Sequence, residues 1–282
     1  MIAVIDIGSN SVRLMLWANG KTILKKILTT RLGAGMENRC LAKPSMERSA
    51  EAVSFFYREA IAFGAEQVFA FATAAVRSAE NRDEFVALVK DLTGLVIDVV
   101  SGGEEAELAA LGALQNGDGI VIDVGGASSE VICVQKGGTV FAKSFPIGAV
   151  TLRERCRDDE ACTKRFVRTV FEELTKMQGN VYAVGGTATA LACLRLELKE
   201  YDAERVQNCF ISKSGLHSLT EKLFSLTVEE RKKLIGMEES RADVIAGGAC
   251  ILTEIADKLG ADGITVSDRD NLEGYLYARG IV

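Results

Sequence analysis

Short apolar runs rich in β-branched residues alternate along the chain with longer stretches in which apolar residues recur every three or four positions. The runs Ile2–Ile7, Val12–Trp17, Gln67–Ala72, Val96–Val100, Ile120–Asp123, Glu130–Val134, Val140–Ser144 and Val181–Val184 predict strands. The stretches Arg48–Phe63, Asp83–Leu92, Glu104–Leu114, Thr163–Met177, Gly215–Leu226 and Asp243–Leu259 predict helices, because their apolar residues fall on one face at the helical period. Strands interleaved with helices in this way predict an α/β fold.

The pattern repeats. Val4-Ile5-Asp6-Ile7-Gly8-Ser9-Asn10-Ser11 returns as Val121-Ile122-Asp123-Val124-Gly125-Gly126-Ala127-Ser128, 117 residues on. Ala72-Thr73-Ala74-Ala75-Val76 has a counterpart in Gly186-Thr187-Ala188-Thr189-Ala190, 114 residues on and in the same order. Two halves that each run strand, aspartate, glycine turn, returning strand and small-residue turn predict a duplicated domain. Glycine admits unusual backbone angles and lets N–H groups approach a ligand closely, while serine and asparagine add donors. Two facing turns of this kind would cradle phosphate, with the aspartates available to Mg²⁺. A single such turn is equally an ordinary hairpin; the repetition favours the binding reading.

Composition narrows the class. At 282 residues the chain has two-domain length, and 48% apolar residues suffice for a sizeable core. The net charge of −6 argues against binding a nucleic-acid duplex, which calls for a basic stripe, but leaves room for a polyanionic substrate at a locally positive or metal-assisted site. Seven scattered cysteines without a C-x-x-C pair predict reduced thiols, with Cys156 and Cys162 a weak metal or redox signal. The one histidine, His217, excludes a histidine triad or a His/Asp metal centre and reads as a structural helix residue. The N-terminus lacks the marks of a signal peptide, and the longest apolar run, Val68–Val76, falls far short of the ~20 residues of a membrane span, so a cytoplasmic protein without a membrane partner is expected.

Three further residues carry candidate chemistry. Ser101 and Glu104 have the spacing of a capping box, which leaves Glu105, about 100° further round the helix, free to act as a base. The helix dipole is expected to depress its pKa; a solvated acidic first turn is the bland alternative. Arg77 ends the small-residue turn and is placed either to fork onto a phosphate or to make a surface ion pair. Glu130 follows the second glycine turn and is either an outward strand residue or part of the site.

The motifs Asp6–Ser11, Ala72–Arg77, Ser101–Ala106, Val121–Gly126, Pro146–Val150, Val184–Thr189, Arg241–Ile245 and Val266–Asp268 together resemble the exopolyphosphatase and guanosine pentaphosphate phosphohydrolase family, in order and over nearly the whole chain. The resemblance implies an actin-like fold of two ribonuclease-H-like domains with the active site in the interdomain cleft. It implies Glu105 as catalytic base, Arg77 as a phosphate-holding residue, and Asp123 and Glu130 as acidic residues of the metal or catalytic environment. Asp6 and Asp123 are the expected Mg²⁺ ligands, and Ser9, Asn10, Gly125, Gly126, Ser128, Gly186 and Thr187 the expected phosphate-binding residues. Ala127 stands where a third glycine is frequent, Gly103 where a polar residue is, and Ala246 where proline is common.

The length matches the short, two-domain members of that family. The expected division is a first lobe over 1–116, a second over 117–267, and a tail over 268–282 packing back on the first as a helix. The charged stretch from Arg195 to Met237 reads as an insertion or a homodimer surface. Inorganic polyphosphate, hydrolysed from its end to orthophosphate, is the expected substrate, with guanosine pentaphosphate the alternative on the same site. An actin-like metabolite kinase would share the fold and both turns but needs no water-activating base; a non-catalytic nucleotide or polyphosphate sensor would bind without releasing phosphate.

Overall fold

β1 (Ile2–Ile7), β2 (Ser11–Ala18) and β3 (Lys21–Thr29) form an antiparallel meander, followed by α1 (Lys43–Ala62), β4 (Gln67–Ala72), α2 (Ala74–Ser78), α3 (Arg82–Thr93), β5 (Ile97–Val99) and α4 (Gly102–Leu114). The computed structural model describes residues 1–36, 39–115 and 117–281. Its first sheet runs in the order β3-β2-β1-β4-β5, with β4 parallel to β1 and β5 parallel to β4. β1 is central and buried over five of its six residues, which is why it reads as a continuous apolar run rather than an alternation. Ile5, Ile7, Val12, Leu14, Val53, Phe56, Phe85 and Val89 form the core beneath α1 and α3. β3 was not foreseen, because its lysines Lys21, Lys25 and Lys26 break the apolar run; as an edge strand it tolerates them. α1 starts at Lys43, five residues before the expected Arg48, with Pro44 in its first turn, where a missing N–H costs nothing.

The second half repeats the plan. β6 (Gly119–Val124), β7 (Ser129–Gln135) and β8 (Gly138–Phe145) form the meander, followed by α5 (Ala149–Cys156), α6 (Glu160–Val170), β9 (Val181–Val184), α7 (Gly185–Leu196), α8 (Ala203–Val206), β10 (Phe210–Ser212), α9 (Lys213–Ser225), α10 (Val228–Lys232), α11 (Ile245–Leu259), β11 (Gly263–Val266) and α12 (Asn271–Ala278). The sheet order is β10-β11-β9-β6-β7-β8. Apart from β10, added antiparallel at the edge, each sheet shows the ribonuclease-H-like order of a three-strand meander extended by two parallel strands. Ile120, Ile122, Val131, Phe145, Phe171, Leu191, Ile251 and Ile264 belong to this unit's core.

The helix expected over Thr163–Met177 is shorter, ending at Val170: beyond it the backbone turns to the far end of α11, where Met177 N–H donates to Leu259 O at 3.2 Å. The cysteine expectation is also corrected. Cys156, at the end of α5, and Cys162, in the first turn of α6, have Cα atoms 5.6 Å apart and are joined as a disulfide, because the two helices meet at an elbow of three residues. Cys40, Cys133, Cys193, Cys209 and Cys250 are free thiols.

The chain divides into two compact units, Met1–Glu105 with Tyr275–Val282, and Ala106–Gly274. Asn116, the boundary residue expected from the sequence, and Val282 lie outside the described residues. Within the first unit the Tyr275 ring stacks on Phe71 at 4.9 Å, and its hydroxyl donates to Asp98 at 3.1 Å. Within the second, α12 packs tightly on α4, where a Cβ on Gly112 would lie 2.0 Å from Asp270 O and one on Gly274 1.8 Å from Leu108 O. No helix among the described residues is long and apolar enough to cross a membrane.

Candidate active site

In the first unit, β1 carries Asp6 to its C-terminal end, and the β1–β2 register places Arg13 directly opposite. Arg13 Nε donates to Asp6 Oδ2 at 3.0 Å and Nη2 reaches the same oxygen, a fork closed on a carboxylate only 3% exposed. The turn between the strands is fastened by Gly8 N–H to Ser11 O at 3.0 Å, and the chain after β3 wraps over it: Thr30 and Arg31 N–H donate to Asn10 O, and Gly33 N–H to Ser9 O. Glycine at 33 permits this approach, since a Cβ there would lie 3.2 Å from the Ser9 Cβ. Ser9 and Asn10 are buried, and neither the amide oxygen nor the amide nitrogen of Asn10 has a hydrogen-bond partner among the described residues. A buried amide of that kind is a donor and acceptor held ready for a ligand.

β4 is followed by Thr73, whose N–H donates to Ile7 O, and α2 then carries Arg77. Arg77 Nη1 donates to Glu105 Oε2 at 2.6 Å and to Val100 O at 3.1 Å. The capping box forms as expected: Glu104 N–H donates to Ser101 Oγ at 3.1 Å and Ser101 N–H to Glu104 Oε2 at 2.8 Å. These bonds from Ser101, backbone first, lower the Glu104 pKa. Glu105 is thereby turned inward and is 6% exposed. Burial pushes its carboxyl pKa up; the Arg77 guanidinium offsets part of that rise and Asp6 adds to it. The depression expected from the helix dipole is therefore corrected, because desolvation outweighs it.

In the second unit, β6 carries Asp123 to the equivalent strand end, and Glu130 on β7 stands opposite it. Both are buried, at 7% and 1% exposure. Ser144 Oγ donates to Glu130 Oε1 at 2.6 Å, and Asn271 Nδ2 approaches Asp123 Oδ2 at 3.4 Å. The turn is closed by Gly125 N–H to Ser128 O at 3.0 Å, with Ser128 buried. The Pro146–Val150 motif gains a physical role here: Ala149 N–H donates to Gly125 O, and Val150 and Thr151 N–H to Gly126 O, so the first turn of α5 holds the glycine turn. Only glycine fits at 148, where a Cβ would lie 2.4 Å from the Gly126 carbonyl carbon.

α7 begins directly at the end of β9, which puts Gly186 and Thr187 in the N-terminal turn of a helix, a place where free N–H groups collect anions. The Thr187 hydroxyl donates to Val124 O at 2.9 Å, leaving its N–H for such a role. Arg241 packs flat on Gly186, close enough that a Cβ there would lie 2.3 Å from Nη1, and its Nε donates to Glu238 at 2.8 Å.

The first unit thus groups Asp6, Ser9, Asn10, Arg77 and Glu105, and the second groups Asp123, Gly125, Gly126, Ser128, Glu130, Gly186 and Thr187. Sequence reasoning missed Arg13 and Arg241 as site residues. Arg13 was detectable, since it lies at the repeat position of Glu130, 117 residues earlier, and Arg241 opens a motif already singled out. Among the described residues no group of three or more His, Cys, Asp or Glu is arranged to hold a metal by itself.

A sequence model described as the Ppx/GppA phosphatase family matches residues 5–279. The chain is 30% identical to exopolyphosphatase 2 of Mycobacterium tuberculosis over 97% of its own length and 96% of that protein's. It is 28% identical to a guanosine-5'-triphosphate,3'-diphosphate pyrophosphatase of Photobacterium profundum, over 98% of its own length and 59% of that protein's. The solved structure of an Aquifex aeolicus PPX-GPPA enzyme superposes with a TM-score of 0.81 at 30% identity, covering 98% of each chain.

Proposed function

This chain belongs to the Ppx/GppA phosphatase family, and we propose on that footing how its residues divide the hydrolysis of a terminal phosphoanhydride. The substrate is inorganic polyphosphate and the product orthophosphate, in keeping with the mycobacterial relative. The terminal phosphate of guanosine pentaphosphate is the second reading, which the Photobacterium relative favours.

The observation that carries the reading is the pair of Arg77 and Glu105, 2.6 Å apart, with Glu105 buried and Arg77 half-buried. A base must sit close to its water and hold a pKa near working pH, and the burial of Glu105 raises its basicity in that direction. Glu105 takes a proton from water as the water oxygen attacks the terminal phosphorus. The bond from that phosphorus to the bridging oxygen breaks, leaving orthophosphate and a chain one phosphate shorter. Arg77 fixes the carboxylate through Nη1 and presents Nε and Nη2 to a phosphoryl oxygen. Within the first unit the Asn10 amide and Ser9 supply further phosphate donors, and the second unit carries donors of the same kind in Ser128 and the N–H groups of Gly125, Gly126, Gly186 and Thr187. Phosphoryl transfer needs such positioning and charge neutralisation more than covalent chemistry.

A divalent cation, Mg²⁺ by expectation, fits the second unit, because Asp123 and Glu130 are buried oxygen donors set opposite one another on paired strands. Mg²⁺ takes one or two carboxylates and leaves its other positions to water and phosphate, so a two-carboxylate set suffices. Asp123 would hold it with Glu130, and Asp6 is the corresponding carboxylate of the first unit. When bound, the cation neutralises charge on phosphoryl oxygens.

The test is orthophosphate release from polyphosphates of several lengths and from guanosine pentaphosphate, at equal concentration of terminal phosphate, with and without Mg²⁺. Mg²⁺-dependent release from polyphosphate, with the guanosine substrate slower, is expected. Faster release from guanosine pentaphosphate moves the assignment to the second reading, and ligand-induced thermal stabilisation without release from either sinks both.

A further inference from the structure

We propose that Cys156 and Cys162 form a redox-exchange site, open to a dithiol reductant, whose state sets how firmly the glycine turn Gly125–Gly126 is held for phosphate. The inference rests on the preceding assignment of that turn to phosphate binding.

The disulfide and the turn lie at opposite ends of one eight-residue helix, α5. At its N-terminus, three consecutive N–H groups, of Ala149, Val150 and Thr151, donate to the carbonyls of Gly125 and Gly126 at 2.9, 2.8 and 3.1 Å. At its C-terminus, Cys156 is linked to Cys162 across the elbow to α6. A short helix transmits a displacement at one end to the other as a nearly rigid rod.

The elbow is built to depend on that link. Arg157, just after Cys156, sits at φ 54° and ψ −124°, a left-handed conformation that a side chain adopts only when its surroundings enforce it. Next to it Asp158 makes ion pairs with Arg153 at 2.6 Å and Arg231 at 3.0 Å. Arg231 is 0% exposed, and it also donates to Leu223 O at 2.6 Å. A charge so deeply buried relies on its partners. Opening the disulfide frees Arg157 to relax, draws Asp158 away from Arg231, and loosens α5 at the end remote from the turn. Arg155, stacked 4.1 Å over the Phe166 ring, then remains as a tie between α5 and α6.

The chemistry is a balanced exchange. Cys156 is buried whereas Cys162 is half-buried, so the thiolate of a dithiol attacks Cys162 Sγ. The bond to Cys156 Sγ breaks, and the departing Cys156 thiolate takes a proton. The second thiol of the reductant then attacks the mixed disulfide, leaves as a disulfide, and Cys162 takes the second proton. The protein gains two electrons and two protons and the dithiol loses both; an oxidised thiol couple reverses the step. Elsewhere, burial pushes the thiols of Cys133 and Cys209 up, Cys193 to about 11 and Cys250 to about 12, which withdraws those four from exchange.

The test treats the intact protein with oxidised glutathione or with dithiothreitol. Alkylation in denaturant after each treatment, followed by mass spectrometry, should find five modified cysteines after the first and seven after the second. Hydrogen exchange at the amides of Ala149, Val150 and Thr151 should quicken on reduction, and KM for polyphosphate should rise about fivefold or more, the low end of coupling between linked sites, with kcat unchanged. Cys156→Ser and Cys162→Ser should each show the reduced behaviour in either buffer. Seven alkylated cysteines in the oxidised sample, or amide exchange that ignores the reductant, overturns the proposal. Should phosphate release be absent in both states, the functional reading fails while the thiol count and the amide exchange still decide the redox site.

Discussion

Arg13 faces Asp6 across β1 and β2 at the positions that Glu130 and Asp123 occupy across β6 and β7. The duplication has kept the geometry and inverted the electrostatics: one aspartate is neutralised by a guanidinium, whereas the other is joined by a second carboxylate. Two halves with the same strand pairing therefore carry different electrostatics, a closed ion pair in the first and two facing carboxylates in the second.

Removing Arg13 tests the first half of that statement. Asp6 and Arg13 have side chains only 4% and 18% exposed, so Arg13→Leu leaves a buried carboxylate without its main counter-charge. The expected loss of stability is about 3 kcal/mol. Asp6→Asn in the same chain should recover part of it, because the orphaned charge is then gone. Urea midpoints of the two single variants and the double variant measure this, and a double variant less stable than Arg13→Leu would contradict the pairing.

Removing Glu130 tests the second half. If Asp123 and Glu130 hold Mg²⁺ together, Glu130→Gln keeps the Ser144 hydrogen bond within reach but discards a negative ligand. The Mg²⁺ concentration at half-maximal activity should rise about 10- to 100-fold, with activity restored by excess metal. A titration of phosphate release against Mg²⁺ gives the answer, and an unchanged half-saturation point places the cation elsewhere.

How much of this was legible beforehand depended on whether a feature is local. The 117-residue repeat marked both aspartates and both glycine turns, and the Ser101 to Glu104 spacing gave the capping box, because each needs only neighbouring residues. The repeat puts Arg13 at the position of Glu130, but that it faces Asp6 follows only from the β1–β2 register. Gly148 lies in the Pro146–Val150 motif, but its physical role needs the fold, which brings it against Gly126. The Cys156–Cys162 link needed the elbow between α5 and α6. The sign of the Glu105 shift was missed for a similar reason: the dipole can be read from a helix start, whereas desolvation depends on everything packed around it.

Gly148→Ala isolates the turn from the chemistry. The added Cβ would meet the Gly126 carbonyl carbon at 2.4 Å, and backbone cannot swing aside as a side chain does. The expected cost is about 1–3 kcal/mol of stability, together with a raised KM for polyphosphate. Gly137→Ala is the control, since it meets nothing within 4 Å, although its φ of +70° carries some strain of its own. Comparable KM values for the two variants would mean that strain alone, and not the fit of α5 on the turn, governs binding.

The pH dependence follows from Glu105. Its pKa is raised by burial and offset in part by Arg77, so the folded protein holds this proton more readily than the unfolded chain. Stability linked to the group is thus fully present below the unfolded value of about 4.3 and is lost as pH rises through the raised folded value. Activity runs the other way, because the base must be ionised: kcat should climb with pH along an acid limb lying above the ordinary carboxylate range. Glu105→Gln should lose about 10²- to 10⁴-fold in kcat, flatten that limb, and remain folded. Arg77→Ala removes the cation that favours the carboxylate and should move the limb to still higher pH, with Arg77→Lys moving it back part of the way. A pH–rate profile of orthophosphate release from the three variants and the parent measures the shift. An acid limb that stays put in Arg77→Ala would detach the pH dependence from Glu105.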